Sequence, residues 1–213
     1  MMFVQISNDV CIAIIQKAGS SSMIEALSSI PTVVISAKDA LTMPIRVAFV
    51  RHPIERINSL FNHFYWMALN NSTYSEFIPN GTITAFGARV DGHKGANEHH
   101  WGVDTLTLYF DTIAKLPTRT ELDNADYQSF IDFILSGEPD SHWAPQYAQG
   151  LHEGVFVPNT VHRFEDVNKY WFDYVGGKLP TTNSWAPVAV DPYRLDDLYG
   201  YYADDLILWE ACK

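Results

Sequence analysis

Lys17 sits in the run Gln16-Lys17-Ala18-Gly19-Ser20-Ser21-Ser22, directly after a stretch of apolar residues. An ammonium, a glycine and three hydroxyls in one short loop are groups that hold an anion. Gly19 lets the backbone approach a ligand closely. The N–H groups of Gly19 to Ser22 would face that ligand from a helix N-terminus, with Lys17 adding a full charge. A second cation, Arg51, follows another apolar run, Val47-Ala48-Phe49-Val50. Its planar fork of donors suits a phosphate, and Ser59, two turns into the next expected helix, can donate to the same anion. Each stretch also has a plainer reading. The first is a serine-capped helix with a solvated lysine, and the second a strand-end arginine paired with a carboxylate. The first stretch is not an ATP loop, because it lacks the G-x-x-x-x-G-K-[ST] pattern.

Strands and helices must position these groups. Residues 10–15 form a short apolar, β-branched run suited to a strand buried on both faces. Residues 20–29 have helical spacing and end before Pro31. Residues 32–36 and 46–50 read as strands, and 54–69 as a helix with Ile57, Leu60, Phe61 and Phe64 on one face. This alternation predicts an α/β fold with a parallel sheet. In such a sheet ligands bind beyond the carboxyl ends of the strands, so Lys17 and Arg51 are expected at one edge. Residues 70–97, rich in glycine and small polar side chains, read as an insertion or mobile loop. Helices are expected at 101–116 and 124–135, late strands at 155–157 and 160–164, a helix at 165–175, and a helical, aromatic-rich tail at 191–209. No repeat or linker divides residues 1–213, which read as a single domain.

The composition of the 213 residues is that of a globular protein, with 47% hydrophobic, 18% charged and 14% aromatic residues. A net charge of -11 disfavours nucleic acid and anionic membranes as partners. Any anionic ligand must therefore be held by a local basic cluster. Cys11 and Cys212 give no disulfide framework. No signal peptide or membrane span is evident, so a cytoplasmic location is expected, and the sequons at Asn70, Asn71 and Asn80 carry no weight.

The two anion-binding stretches together resemble the signature of sulfotransferases that use 3′-phosphoadenosine-5′-phosphosulfate (PAPS). Lys17-Ala18-Gly19-Ser20-Ser21 is similar to the (P)K-x-G-[ST]-[ST] loop that holds the 5′-phosphosulfate, with Gln16 where proline is usual. Arg51-His52-Pro53-Ile54-Glu55-Arg56-Ile57-Asn58-Ser59 is similar to R-[DH]-P-x-x-R-x-x-S, whose Arg and Ser hold the 3′-phosphate. Arg56 reads as a structural or rim charge. "SFIDFI…DSHWAPQ", "VHRFEDVNKYW", "KLPTTNSW" and "YYADDLILW" resemble later pieces of the carbohydrate, Golgi-type branch, in the right order. The resemblance runs over most of residues 10–209 and implies a P-loop-like three-layer α/β/α fold with a central parallel sheet and a helical C-terminal part. It implies a relative, microbial or viral, that lacks the branch's membrane anchor.

It also implies roles. Lys17 would stabilise the leaving 5′-phosphate. Ala18 and the main chain of Gly19, Ser20, Ser21 and Ser22 would hold it, and Arg51 and Ser59 would hold the 3′-phosphate. PAPS is then the donor and the 3′,5′-bisphosphate PAP the product, with no metal required. A neutral imidazole suits proton removal from a hydroxyl near pH 7. His142, within the D-x-H-W-x-P-Q element, is the first candidate base, the alternative being that His142 and Trp143 only pack. His63, one turn beyond Ser59, is the second. With only 14 Lys and Arg, a polyanionic acceptor is disfavoured. A carbohydrate or small hydroxylated molecule fits better, and Trp66, Trp101, Trp143 and Trp185 are available to stack on sugar rings. Rival readings are a nucleotide or small-molecule kinase with an atypical loop, and a non-catalytic nucleotide-binding relative.

Overall fold

The computed structural model describes residues 1–70, 124–136, 143–180 and 192–212. The expected insertion beyond Asn70, the expected helix at 101–116, His142, Trp101 and Trp185 lie outside the described residues. The chain divides into two compact units, one of residues 1–60, 139–187 and 192–213, the other of 61–138 and 188–191.

The first unit is built on a five-stranded sheet of order β3-β1-β2-β4-β7. The strands are β1 (Met2–Gln5), β2 (Val10–Ile14), β3 (Val33–Ile35), β4 (Ile45–Val50) and β7 (Thr160–Arg163). β2, β4 and β7 pair in parallel, and β1 lies antiparallel to both β2 and β3. Four of the five strands therefore run the same way. The sequence reading lacked β1. It is a four-residue strand folded onto β2 through a tight turn, where Ser7 Oγ accepts the N–H groups of Asp9 and Val10 at 3.3 and 3.2 Å.

Both faces of the central strands are buried, which explains their unbroken apolar runs. Cys11, Ala13, Ala48 and Val50 face a core that includes Ala40 and Cys212, with Leu208 and Trp209 packed against it. Ile12, Ile14, Val47 and Phe49 face the opposite core, with Met23, Leu27, Val167 and Trp171. Helices α1 (Ser20–Leu27) and α6 (Val167–Val175) thus cover one face. Helices α2 (Ala37–Ala40) and α8 (Ala203–Ala211) cover the other. This is the three-layer α/β/α arrangement. Between α6 and α8 lies α7 (Leu195–Tyr201), so the expected helical tail is two helices.

Helix α3 (Pro53–Asn70) follows β4, with Pro53 at its first position, where a missing N–H costs nothing. The short helix α5 (Gln146–Gln149) leads into a separate two-stranded hairpin of β5 (Leu151–His152) and β6 (Val155–Phe156). The strand expected at 155–157 is therefore half of a local hairpin and does not join the main sheet. In the second unit, α4 (Asn124–Ser136) buries Tyr127, Phe130, Ile131 and Ile134, a helical stripe. Phe61 packs on two of them, 5.2 Å from Tyr127 and 5.4 Å from Phe130 between ring centroids.

Candidate active site

The register of β2 on β4, with Ala13 opposite Ala48, brings the carboxyl ends of both strands to one edge. Arg51 follows the end of β4 directly, and Lys17 follows the end of β2, Ile14, after Ile15 and Gln16. The loop after β2 is shaped by backbone conformation. Lys17 has φ of 62° and Gly19 φ of 75°, both left-handed. For lysine this conformation is strained, of order 1–3 kcal/mol, and such strain concentrates at functional loops. Gly19 is required twice over: its backbone is left-handed, and an added Cβ would sit 2.2 Å from the Phe164 ring. Gly19, with no side chain to offer, is also the N-cap of α1. The expected serine cap is not used. Ser20 Oγ instead donates to Gln16 Oε1 at 3.3 Å, which ties the helix start back to the loop. The helical ladder begins with Met23 N–H donating to Gly19 O at 3.0 Å.

Part of Lys17 remains exposed, yet burial of its ammonium, with a smaller contribution from the nearby Arg56 guanidinium, pushes its pKa down to about 7. Arg56 itself is fully buried. Its Nε donates to Gln16 O at 3.0 Å and its Nη1 to Ala144 O at 2.9 Å. Of the two roles read for it, the structural one fits: it straps the Lys17 loop to the segment before α5.

The turn after β4 is held differently. The main chain of Arg51 is gripped by the side-chain amide of Gln146, with Arg51 N–H donating to Oε1 at 3.0 Å and Nε2 donating to Arg51 O at 2.8 Å. Burial lowers the Arg51 pKa, and Glu55 and Glu165 oppose that shift. The guanidinium carbon lies 5.9 Å from the centroid of the Phe164 ring, a cation–π distance. Ser59 is half-buried on α3, one turn after the exposed Glu55.

Phe164 is the shared wall. It follows β7, whose Arg163 pairs with Val50, and its ring meets both the Gly19 position and Arg51. Beside it, Arg163 Nε donates to Trp209 O at 3.1 Å, and its guanidinium lies 4.0 Å over the indole ring. The sequence reading placed the F-E-D run on a late strand and helix but gave Phe164 no contact with either loop. It also gave no role to Gln146 or Asp205. Asp205 and Trp209, one turn apart on α8, with Tyr202 just before its start, are a usable signal, because the spacing puts an aspartate on a face with aromatic neighbours.

Of the other expected residues, Ala18 is buried, Ser21 exposed and Ser22 buried at the start of α1. His63 lies on α3, one turn after Ser59. Among the described residues no three His, Cys, Asp or Glu side chains form a group that could hold a metal ion, and no helix is long and apolar enough to cross a membrane.

Residues 19–172 match the family described as "Sulfotransferase family". The chain belongs to the sulfotransferase family. The matched span includes Gly19, Arg51, Ser59, Gln146 and Phe164, and leaves Lys17, α7 and α8 outside it. No curated protein and no solved structure matches the chain.

Proposed function

We propose that the chain transfers a sulfuryl group from PAPS to a hydroxyl acceptor, a carbohydrate or a small hydroxylated molecule. The observation that carries this reading is the pairing of two cationic loops, Lys17 and Arg51, at the ends of adjacent parallel strands with Phe164 against both. Two anion sites at one sheet edge suit a nucleotide that carries a 5′-phosphosulfate and a separate 3′-phosphate.

In this reading the acceptor oxygen attacks sulfur as the bridging S–O bond to the 5′-phosphate breaks. The electron pair stays on the phosphate oxygen, and the acceptor proton passes to a base. The products are a sulfate ester and PAP. Lys17 meets the charge on the leaving phosphate, in the electrostatic manner of phosphoryl transfer. The main chain of Gly19 to Ser22 holds that phosphate, the Ala18 N–H being engaged with Ile15 O at 3.3 Å, and Arg51 with Ser59 holds the 3′-phosphate. His142 or His63 takes the proton.

Calorimetric titration with PAP and with ATP–Mg²⁺ tests the donor. PAP is expected to bind tightly and ATP–Mg²⁺ weakly. Preference for ATP would overturn the reading. Turnover of labelled PAPS with a panel of sugars tests the acceptor, and His142→Ala and His63→Ala identify the base by lost transfer with PAP binding retained.

A further inference from the structure

β4 ends at Val50, its last pair with β7. Beyond it the N–H and C=O of Arg51 have no strand partner, and half-buried main-chain groups require one. Gln146 supplies both partners at once, its primary amide matching the donor and acceptor of a single residue. Gln146 is itself fully buried, and so is Asp205. The Asp205 carboxylate accepts three hydrogen bonds. Oδ2 takes Gln146 N–H at 2.8 Å and Gln146 Nε2 at 3.3 Å, and Oδ1 takes Tyr147 N–H at 2.8 Å. These contacts fix the amide orientation, because Nε2 faces two acceptors and Oε1 faces a donor. One turn further along α8, the Trp209 ring meets the His52 ring edge-on, with centroids 4.9 Å apart. One helix therefore supports Arg51 and its neighbour at two points.

We propose that Asp205 and Gln146 are positioning residues for donor binding: Asp205 orients Gln146, and Gln146 fixes the Arg51 main chain so that the guanidinium is presented ready-made to the 3′-phosphate. This rests on the donor reading above. A turn fixed before the ligand arrives loses less freedom on binding. Neither residue touches the ligand, so their effect passes entirely through Arg51.

The test is a double-mutant cycle on PAP affinity. Gln146→Met keeps the side-chain volume and removes the clasp. It is expected to weaken PAP about tenfold, the worth of about two net hydrogen bonds. It should raise KM for PAPS and leave kcat nearly unchanged, since the 3′-phosphate does not react. Asp205→Asn should act in the same direction with a smaller loss. In the Arg51→Ala background, Gln146→Met should cost nothing further. An equal loss in both backgrounds would mean a packing role only and would overturn the proposal. If the wild-type protein binds no PAP, the donor reading fails by itself. The clasp is then judged by hydrogen exchange at the Arg51 amide, which Gln146→Met should accelerate. Unchanged exchange at that amide would overturn the clasp.

Discussion

The two cationic loops follow adjacent strands and are built on opposite principles. The Lys17 loop is set mainly from within. Two left-handed positions, Lys17 and Gly19, flank Ala18, and the helix start needs no side-chain cap. The Arg51 turn has no left-handed residue and is set from far along the chain, by Gln146 and behind it Asp205. The first stores strain to present its groups, and the second borrows rigidity from the core. A loop of the first kind fails when its backbone is altered. One of the second kind fails when a residue remote in sequence is altered.

The largest break comes from removing the second loop's charge. Arg51→Ala should weaken PAP by more than about 100-fold, as expected for a charge-assisted, bidentate contact, and Arg51→Lys should recover only part of the loss because it lacks the fork. The first loop is broken most sharply at Gly19. Gly19→Ala forces a side chain into left-handed backbone and against Phe164, so denaturant titration should show a loss of about 2–4 kcal/mol. In the Phe164→Ala background the same Gly19→Ala change should cost only about 1–2 kcal/mol, the backbone share. If it cost as much there as in the wild-type background, contact with Phe164 would not be what constrains the loop.

A smaller effect separates the loops by protonation. With a pKa near 7, Lys17 is mostly neutral at pH 8 in the free protein. An anion bound beside it should restore its charge. Titrations of PAP in buffers of different ionisation enthalpy should show uptake approaching one proton per molecule at pH 8, absent in Lys17→Met and retained in Gln146→Met. The same shift affects stability. Between about pH 7 and the ordinary lysine range near 10.4 the unfolded chain holds a proton that the folded chain lacks, so this group makes stability rise with pH there.

The smallest expected effect lies on β7, the strand that carries the shared wall. His162 stacks on Tyr170 with centroids 3.7 Å apart, and burial lowers its pKa. Below about pH 6.5 the unfolded imidazole takes a proton before the folded one does. Stability from this group is therefore complete above that pH and falls as the pH drops through it. Solvent access damps the effect. His162→Phe should flatten the slope of the denaturant midpoint between pH 7 and 5.

The same contrast explains what could be read from sequence. The Lys17 loop and the Arg51–Ser59 stretch are local patterns, and their place at one edge follows from strand–helix alternation. β2, β4, α1, α3 and α6 were legible because their apolar residues recur at the proper period. β1 was not, since four residues fix no period and its antiparallel placement depends on a turn held by Ser7. The serine cap failed because the left-handed Gly19 already starts the helix. Gln146, Asp205 and the contacts of Phe164 were not legible for a different reason. Their partners are distant in the chain: helical spacing can put Asp205 on a face with aromatic neighbours, but only the fold decides that Gln146 and Tyr147 meet it there.

The clasp on Arg51 also sets an order of assembly. A ribosome releases the residues that would contact the donor early, all of them complete in the chain by Ser59 apart from the base and the Phe164 wall. The strut that steadies Arg51 is translated last among the parts of the site, on α8. If the clasp acts as proposed, a nascent chain paused before α8 would carry the cationic residues of the site without the means to hold Arg51 still, and donor binding would mature with synthesis of α8 and not with synthesis of the loops themselves.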